Sequence, residues 1–196
     1  MEYFNVNSNK GNLIKGPLII KPKIFLDNRG YFFESWNNSE FNQLISREVN
    51  FVQDNHSESK FGVLRGLHYQ LKPKAQAKLV RCTKGEVFDV LVDIRKNSNT
   101  YGEWSSVILS NENKLQFWIP EGFVHGFISL KDCSEVQYKT TEYWVKDYER
   151  SLFWKDTDIR INWPLVNSNE KFKIIVNEKD AIAPTLKEIE KSGEIF

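Results

Sequence analysis

Between residues 18 and 141 the sequence is cut into short apolar runs, each closed by a turn signal, and hardly any stretch carries a helical period. Leu18-Ile19-Ile20 stops at Pro22, and Asp27-Asn28-Arg29-Gly30 makes a turn ahead of Tyr31-Phe32-Phe33-Glu34-Ser35-Trp36. Strand-like runs follow at 63–69, 77–83, 87–94, 104–109, 115–119, 123–130 and 135–141. Lys84-Gly85, residues 97–102, Ser110-Asn111-Glu112-Asn113 and Pro120-Glu121-Gly122 separate them. Many short strands at this spacing, with so few helices, imply a sandwich, barrel or jelly roll. One helix is expected after a cap at Asn38 or Ser39, with Phe41, Leu44 and Ile45 at helical spacing. A second is expected over 184–191, with Leu186 and Ile189 apolar and Gly193 as its stop. Residues 1–17 read as a loose arm of a single all-β domain spanning 1–196.

Charge and composition narrow the function. A 40% hydrophobic and 27% charged chain is globular, and 27 basic against 26 acidic residues leave a net charge of +1. That balance gives no electrostatic footprint for nucleic acid or an anionic membrane. No run approaches the roughly 20 apolar residues of a membrane span. The start of the chain lacks a basic region, and Pro17-Leu18-Ile19-Ile20 is too short for a leader. Cys82 and Cys133 match no paired-thiol spacing, so reduced thiols and a cytoplasmic location are expected. Neither Gly-rich phosphate loop, GxGxxG or GxxxxGK[ST], occurs, and no G-x-S-x-G elbow does. Fourteen Phe, seven Tyr and six Trp exceed what a core of this size needs, which hints at a cleft that stacks on flat ligands.

Side chains alternate across a strand, so a polar residue two away from apolar ones shares their face. On that rule His125 lies with Phe123 and Phe127, Lys78 with Val80 and Cys82, Tyr138 with Val136, and His68 with Leu64 and Gly66. A buried lysine is costly unless something compensates its charge, so the inner face reads as a pocket. Singly, each group has a bland explanation: a satisfied core histidine, a snorkelling lysine, a tyrosine bonded to a backbone carbonyl. Together they are a base, a cation and an acid on neighbouring strands, which are the parts of proton-transfer chemistry. A metal is the rival use of the histidines. Only His56, His68 and His125 exist, Gln70 stands where a His-x-His pair would need its second member, and no carboxylate follows closely. That is short of the three protein ligands of a catalytic metal, so no metal is expected.

Longer motifs then become recognisable. They include Asp27-Asn28-Arg29-Gly30-Tyr31-Phe32-Phe33-Glu34, Phe51-Val52-Gln53-Asp54-Asn55-His56-Ser57, and Gly62-Val63-Leu64-Arg65-Gly66-Leu67-His68-Tyr69-Gln70. Further along stand Gln76-Ala77-Lys78-Leu79-Val80-Arg81, Trp118-Ile119-Pro120-Glu121-Gly122-Phe123-Val124-His125-Gly126-Phe127 and Lys179-Asp180-Ala181-Ile182-Ala183-Pro184. In this order they resemble the dTDP-4-dehydrorhamnose 3,5-epimerases, over roughly residues 18–184. The resemblance implies a cupin-type jelly roll (double-stranded β-helix) with short peripheral helices, a homodimer, no cofactor, and a nucleotide-sugar substrate, dTDP-4-keto-6-deoxyglucose. It implies that His68 is the general base, held by Asp180, that Lys78 stabilises the enolate oxygen, and that Tyr138 is the acid on the other face. His125 would line the sugar site. Arg29, Glu34, Gln53, Asn55, Arg65, Glu149 and Lys179 would hold the nucleotide and diphosphate. Trp144, beside Tyr143, stands where the family usually has a stacking Tyr. Strict alternation puts Arg65 opposite His68, so sharing a site requires a bulge or a partner-subunit contact.

The chemistry suits these groups. A 4-keto group acidifies the hydrogens on both adjacent ring carbons, and inversion removes a proton from one face and returns one to the other. An imidazole steadied by a carboxylate suits the removal, an ammonium in a dry pocket stabilises the enolate, and a phenol opposite completes the exchange. Three other readings stay open: an epimerase acting at one carbon or on another nucleotide sugar, a non-catalytic sugar-binding jelly roll, and a metal-dependent cupin.

Overall fold

The computed structural model describes residues 2–164 and 173–196. Two antiparallel sheets face each other. The first contains β1 (Glu2–Asn7), β2 (Leu13–Lys21), β5 (Gln53–Ser59), β7 (Lys78–Lys84), β10 (Gln116–Ile119) and β12 (Ser134–Thr140), in the order β1-β2-β10-β7-β12-β5. The second contains β6 (Leu64–Gln70), β8 (Glu86–Asp93), β9 (Trp104–Ser110), β11 (Phe123–Ser129) and β13 (Glu149–Ser151), in the order β13-β6-β11-β8-β9. A separate hairpin of β3 (Phe25–Asp27) and β4 (Gly30–Phe32) precedes α1 (Asn38–Ile45). Two short helices, α2 (Glu178–Ala181) and α3 (Leu186–Ser192), follow later in the chain. This is a cupin-like jelly roll with peripheral helices, as the strand spacing and the resemblance imply.

Three apolar layers follow from the alternation. Between the sheets lie Val80, Cys82, Phe117, Val136, Val87, Leu91, Phe123 and Phe127, all buried. The outer face of the second sheet carries Val90, Val92 and Val124 under Leu152, Trp163, Leu186 and Ile189 from the C-terminal part of the chain. The outer face of the first sheet carries Leu79 and Trp118 under α1, where Phe41 meets Trp118 edge-on at 5.1 Å between ring centres. Edge-to-face pairs of this kind contribute about 0.5–1.5 kcal/mol beyond their buried area.

Helix ends obey their local chemistry. Asn37 caps α1 by accepting from the Glu40 N–H, one residue before the expected cap. Thr185 and Glu188 form a reciprocal capping box on α3, and Gly193 ends that helix in the left-handed region at φ 77°.

Three expectations need correction. Residues 1–17 are not a loose arm: β1 pairs with β2, β2 pairs with β10, and Val6 and Ile14 enter the core between the sheets. Two widely spaced apolar residues give no period, and only the long-range pairing makes them strands. β5 was absent from the expected strands because Gln-Asp-Asn-His-Ser-Glu-Ser has no apolar residue to alternate. Its inner positions are polar because they face a cavity. Finally, His68 does not share a face with Leu64, which lies in the outer layer. His125 pairs with His68 and Phe127 with Arg65, so two residues of β6, Gly66 and Leu67, span one of β11. This bulge puts Arg65 and His68 on one face. Gly66 is obligatory there: at φ +120°, a Cβ would stand 2.6 Å from Gly126 Cα and 2.8 Å from the His125 carbonyl oxygen.

Candidate active site

The polar residues of the inner face line two adjoining hollows at one end of the roll, and both hollows include Asn55, His68, Lys78 and Tyr138. The larger, about 260 Å³, adds Ser57, Arg65, His125 and Asp180. The smaller, about 90 Å³, adds Gln53, Gln70, Trp144 and Glu149.

Asp180 comes from α2, whose cap Asn177 accepts the Asp180 N–H at 2.7 Å. Its side chain is fully buried, and Oδ1 lies 2.6 Å from His68 Nε2, while the imidazole is 26% exposed toward the cavity. The other oxygen accepts the Gly66 N–H of the bulge at 3.2 Å. Burial alone would raise this carboxyl, but the hydrogen bond and charge of His68 and the Gly66 amide outweigh it and hold it below the ordinary range. An ionised Asp180 can only accept, so Nε2 carries the ring proton and the lone pair of neutral His68 sits at Nδ1. The contact fixes the tautomer and orientation of the ring.

Lys78, only 8% exposed, donates to the His68 carbonyl oxygen at 3.4 Å. Burial pulls its ammonium down to about 8, against the opposing charges of Asp89 and Glu149. Tyr138 faces the same cavity, and burial raises its phenol above the ordinary value despite the nearby Arg65 charge. It is therefore a protonated donor. His125 Nε2 meets both oxygens of Asp89, at 2.9 and 3.0 Å, and both side chains are buried. Burial lowers His125 and raises Asp89, each opposed by the charge of the other.

Around this centre, Gln53 donates to Asn55 Oδ1 at 2.9 Å and accepts the Trp144 N–H at 3.1 Å. Trp144 is 53% exposed, so its ring is no part of the core. Glu149 pairs with Lys179 at 2.8 Å; burial raises its carboxyl, and Lys179 brings it below the usual value. Arg65 is fixed by Ser59 Oγ at 3.0 Å and the Glu58 carbonyl at 2.9 Å. Gln70 accepts the Val145 N–H and donates to the carbonyls of Lys74 and Tyr143, a packing role. Among the described residues no group of three or more His, Cys, Asp or Glu is placed to hold a metal ion.

Two residues from the sequence reading stand apart. Arg29 is 85% exposed and ion-paired with Asp27, and Glu34 accepts from Asn37 Nδ2 at 3.5 Å; neither lines the hollows of its own chain. Two others went unnoticed. Asp89 carries the signal of an acid alternating with Val87 and Leu91, and Ser57 that of a polar residue between Asn55 and Ser59 on β5.

A cupin-type jelly roll whose open end holds a carboxylate-bound histidine, a buried ammonium and a phenol is a scaffold for acid–base catalysis. The chain belongs to the dTDP-4-dehydrorhamnose 3,5-epimerase family, whose sequence profile matches residues 12–188. It is 55% identical over 169 residues to the dTDP-4-dehydrorhamnose 3,5-epimerase of Salmonella typhimurium, covering 86% of this chain and 90% of that one. The crystal structure of dTDP-6-deoxy-D-glucose-3,5-epimerase from Legionella pneumophila in complex with dTDP-4-keto-L-rhamnose superposes with a TM-score of 0.88. The two are 43% identical, and the match covers 99% of this chain and 97% of that one. An epimerase from Mycobacterium tuberculosis gives 0.92 at 34% identity, covering 100% of this chain and 93% of that one. No described helix is long and apolar enough to cross a membrane.

Proposed function

We propose that this chain epimerises C3 and C5 of dTDP-4-dehydro-6-deoxy-glucose, giving dTDP-4-dehydro-L-rhamnose for deoxysugar biosynthesis. The observation that carries the reading is the His68–Asp180 contact of 2.6 Å in a cavity shared with Lys78 and Tyr138. His68 Nδ1 removes the proton next to the 4-keto group, and Asp180 stabilises the imidazolium that forms. The electron pair moves onto the ketone oxygen, where the Lys78 ammonium, in a site shielded from water, stabilises the enolate. Tyr138 returns a proton to the opposite face of the ring carbon. The ketone itself is the electron sink, so the reaction needs no cofactor.

Trp144 is the platform for the base, and Gln53, Asn55, Arg65, Glu149 and Lys179 hold the rest of the nucleotide, with His125 against the sugar. Arg29 and Glu34 act in the site of a second copy, in a cytoplasmic homodimer. What supports this is the β3–β4 hairpin, which displays Phe25, Leu26, Tyr31 and Phe32 to solvent beside Arg29, together with the outer edge of β5 at the cavity, which no strand among the described residues pairs.

Incubation with dTDP-4-keto-6-deoxyglucose in heavy water, followed by NMR, tests the reaction. Deuterium at both C3 and C5 with formation of the L-rhamno product is expected. Exchange at one carbon would make the chain a mono-epimerase, and no exchange would end the proposal.

A further inference from the structure

Every inner-face polar side chain of β5 but one is engaged within the protein. Gln53 and Asn55 bond to each other, and Ser59 accepts from Arg65. Ser57 stands between them, opposite Val136 of β12, in the wall of the larger hollow. Its Oγ is shut off from solvent and has no hydrogen-bond partner among the described residues. Of the side-chain oxygens and nitrogens in that condition, it is the one that belongs to the site. A buried hydroxyl left unpaired costs free energy that an alanine would not, so its presence calls for a partner that arrives later.

We propose that Ser57 donates a hydrogen bond to an acceptor oxygen of the nucleotide sugar and is a specificity-determining residue of this site. The inference rests on the epimerase reading above. The hydroxyl would reach a ligand from whichever staggered position about Cα–Cβ faces the cavity. Ser57 lines the hollow of Arg65, His125 and Asp180 and not the one of Trp144, so the acceptor belongs to the sugar–diphosphate part and not to the base. Two sources offer that chemistry, a ring hydroxyl and a phosphoryl oxygen.

Ser57→Ala separates them and is nearly isosteric. The melting temperature of the free protein should stay level or rise, because the unpaired hydroxyl is gone. Binding of dTDP alone is read by calorimetry, and kcat/KM with dTDP-4-keto-6-deoxyglucose by a coupled assay. If a ring hydroxyl is the acceptor, kcat/KM falls about 3- to 10-fold and dTDP affinity is unchanged; if a phosphoryl oxygen is, both fall by about 10-fold or more. Ser57→Thr, which keeps the hydroxyl, should restore most of the loss. Unchanged kinetics and unchanged dTDP binding in Ser57→Ala would overturn the inference, as would a destabilised variant with normal kinetics. Wild-type protein that binds dTDP but turns over no substrate would refute the epimerase reading and leave the dTDP arm to decide on Ser57.

Discussion

His68 and His125 face each other in register across β6 and β11, and each is bonded to its own buried aspartate, Asp180 and Asp89. The two pairs differ in access. His68 is 26% exposed, whereas His125, although it lines the larger hollow, is only 7% exposed and Asp89 is fully buried. The more open pair is the one suited to exchange a proton with a substrate.

His68→Ala should therefore lower turnover about 10²–10⁴-fold, the usual cost of losing a positioned base, with the fold intact. Steady-state rates with circular dichroism check this. A folded variant that keeps near wild-type turnover would remove His68 from the mechanism.

Lys78 sets an alkaline limit. Its ammonium titrates near 8, so kcat/KM, which reports the free enzyme, should fall as pH rises through about 8. Asp89→Asn removes a charge that favours the ammonium, so the limb should move to lower pH. Stability should run the other way. Folded Lys78 loses its proton near 8 and unfolded Lys78 near 10.5, so between those values the unfolded chain binds more protons and this residue favours folding more as pH rises. A pH–rate profile flat to pH 10 would contradict the assignment.

Trp144→Ala should raise KM about 5- to 150-fold, borrowing the 1–3 kcal/mol of base–aromatic stacking, and Trp144→Tyr should restore most of it. Because the ring is half exposed, the melting temperature should barely move. A large drop in melting temperature with unchanged KM would make Trp144 a packing residue.

Arg29→Ala and His68→Ala should each be poorly active alone. If Arg29 serves the partner's site, mixed dimers contain one intact site, and mixing the two variants with exchange of subunits should restore up to about a quarter of wild-type activity. No recovery despite exchange would confine Arg29 to its own chain.

The legibility of this chain in sequence follows the physics of its parts. Strands with apolar residues at alternate positions, such as β7, β8, β11 and β12, announce themselves, and with them Lys78, His125 and Tyr138. β5 does not, because its inward face meets a cavity and its outward face meets water, so nothing apolar marks either. The shared face of Arg65 and His68 depends on a bulge that alternation forbids, although Gly66 is its trace. Asp180 pairs with His68 across 112 residues of chain, a proximity no local pattern encodes, and only the resemblance to a family pointed to it.

That separation has a consequence for how activity arises during synthesis. The ribosome delivers β1 through β12 before Asp180, the carboxylate bonded to His68, emerges. A nascent roll complete to Thr140 carries the imidazole, the ammonium and the phenol, yet its histidine has no carboxylate to fix the tautomer. His68 gains its carboxylate only once α2 has been made and lies against β6. A polypeptide ending before residue 180 therefore lacks both the carboxylate partner of His68 and the part of the outer apolar layer that Leu186 and Ile189 supply.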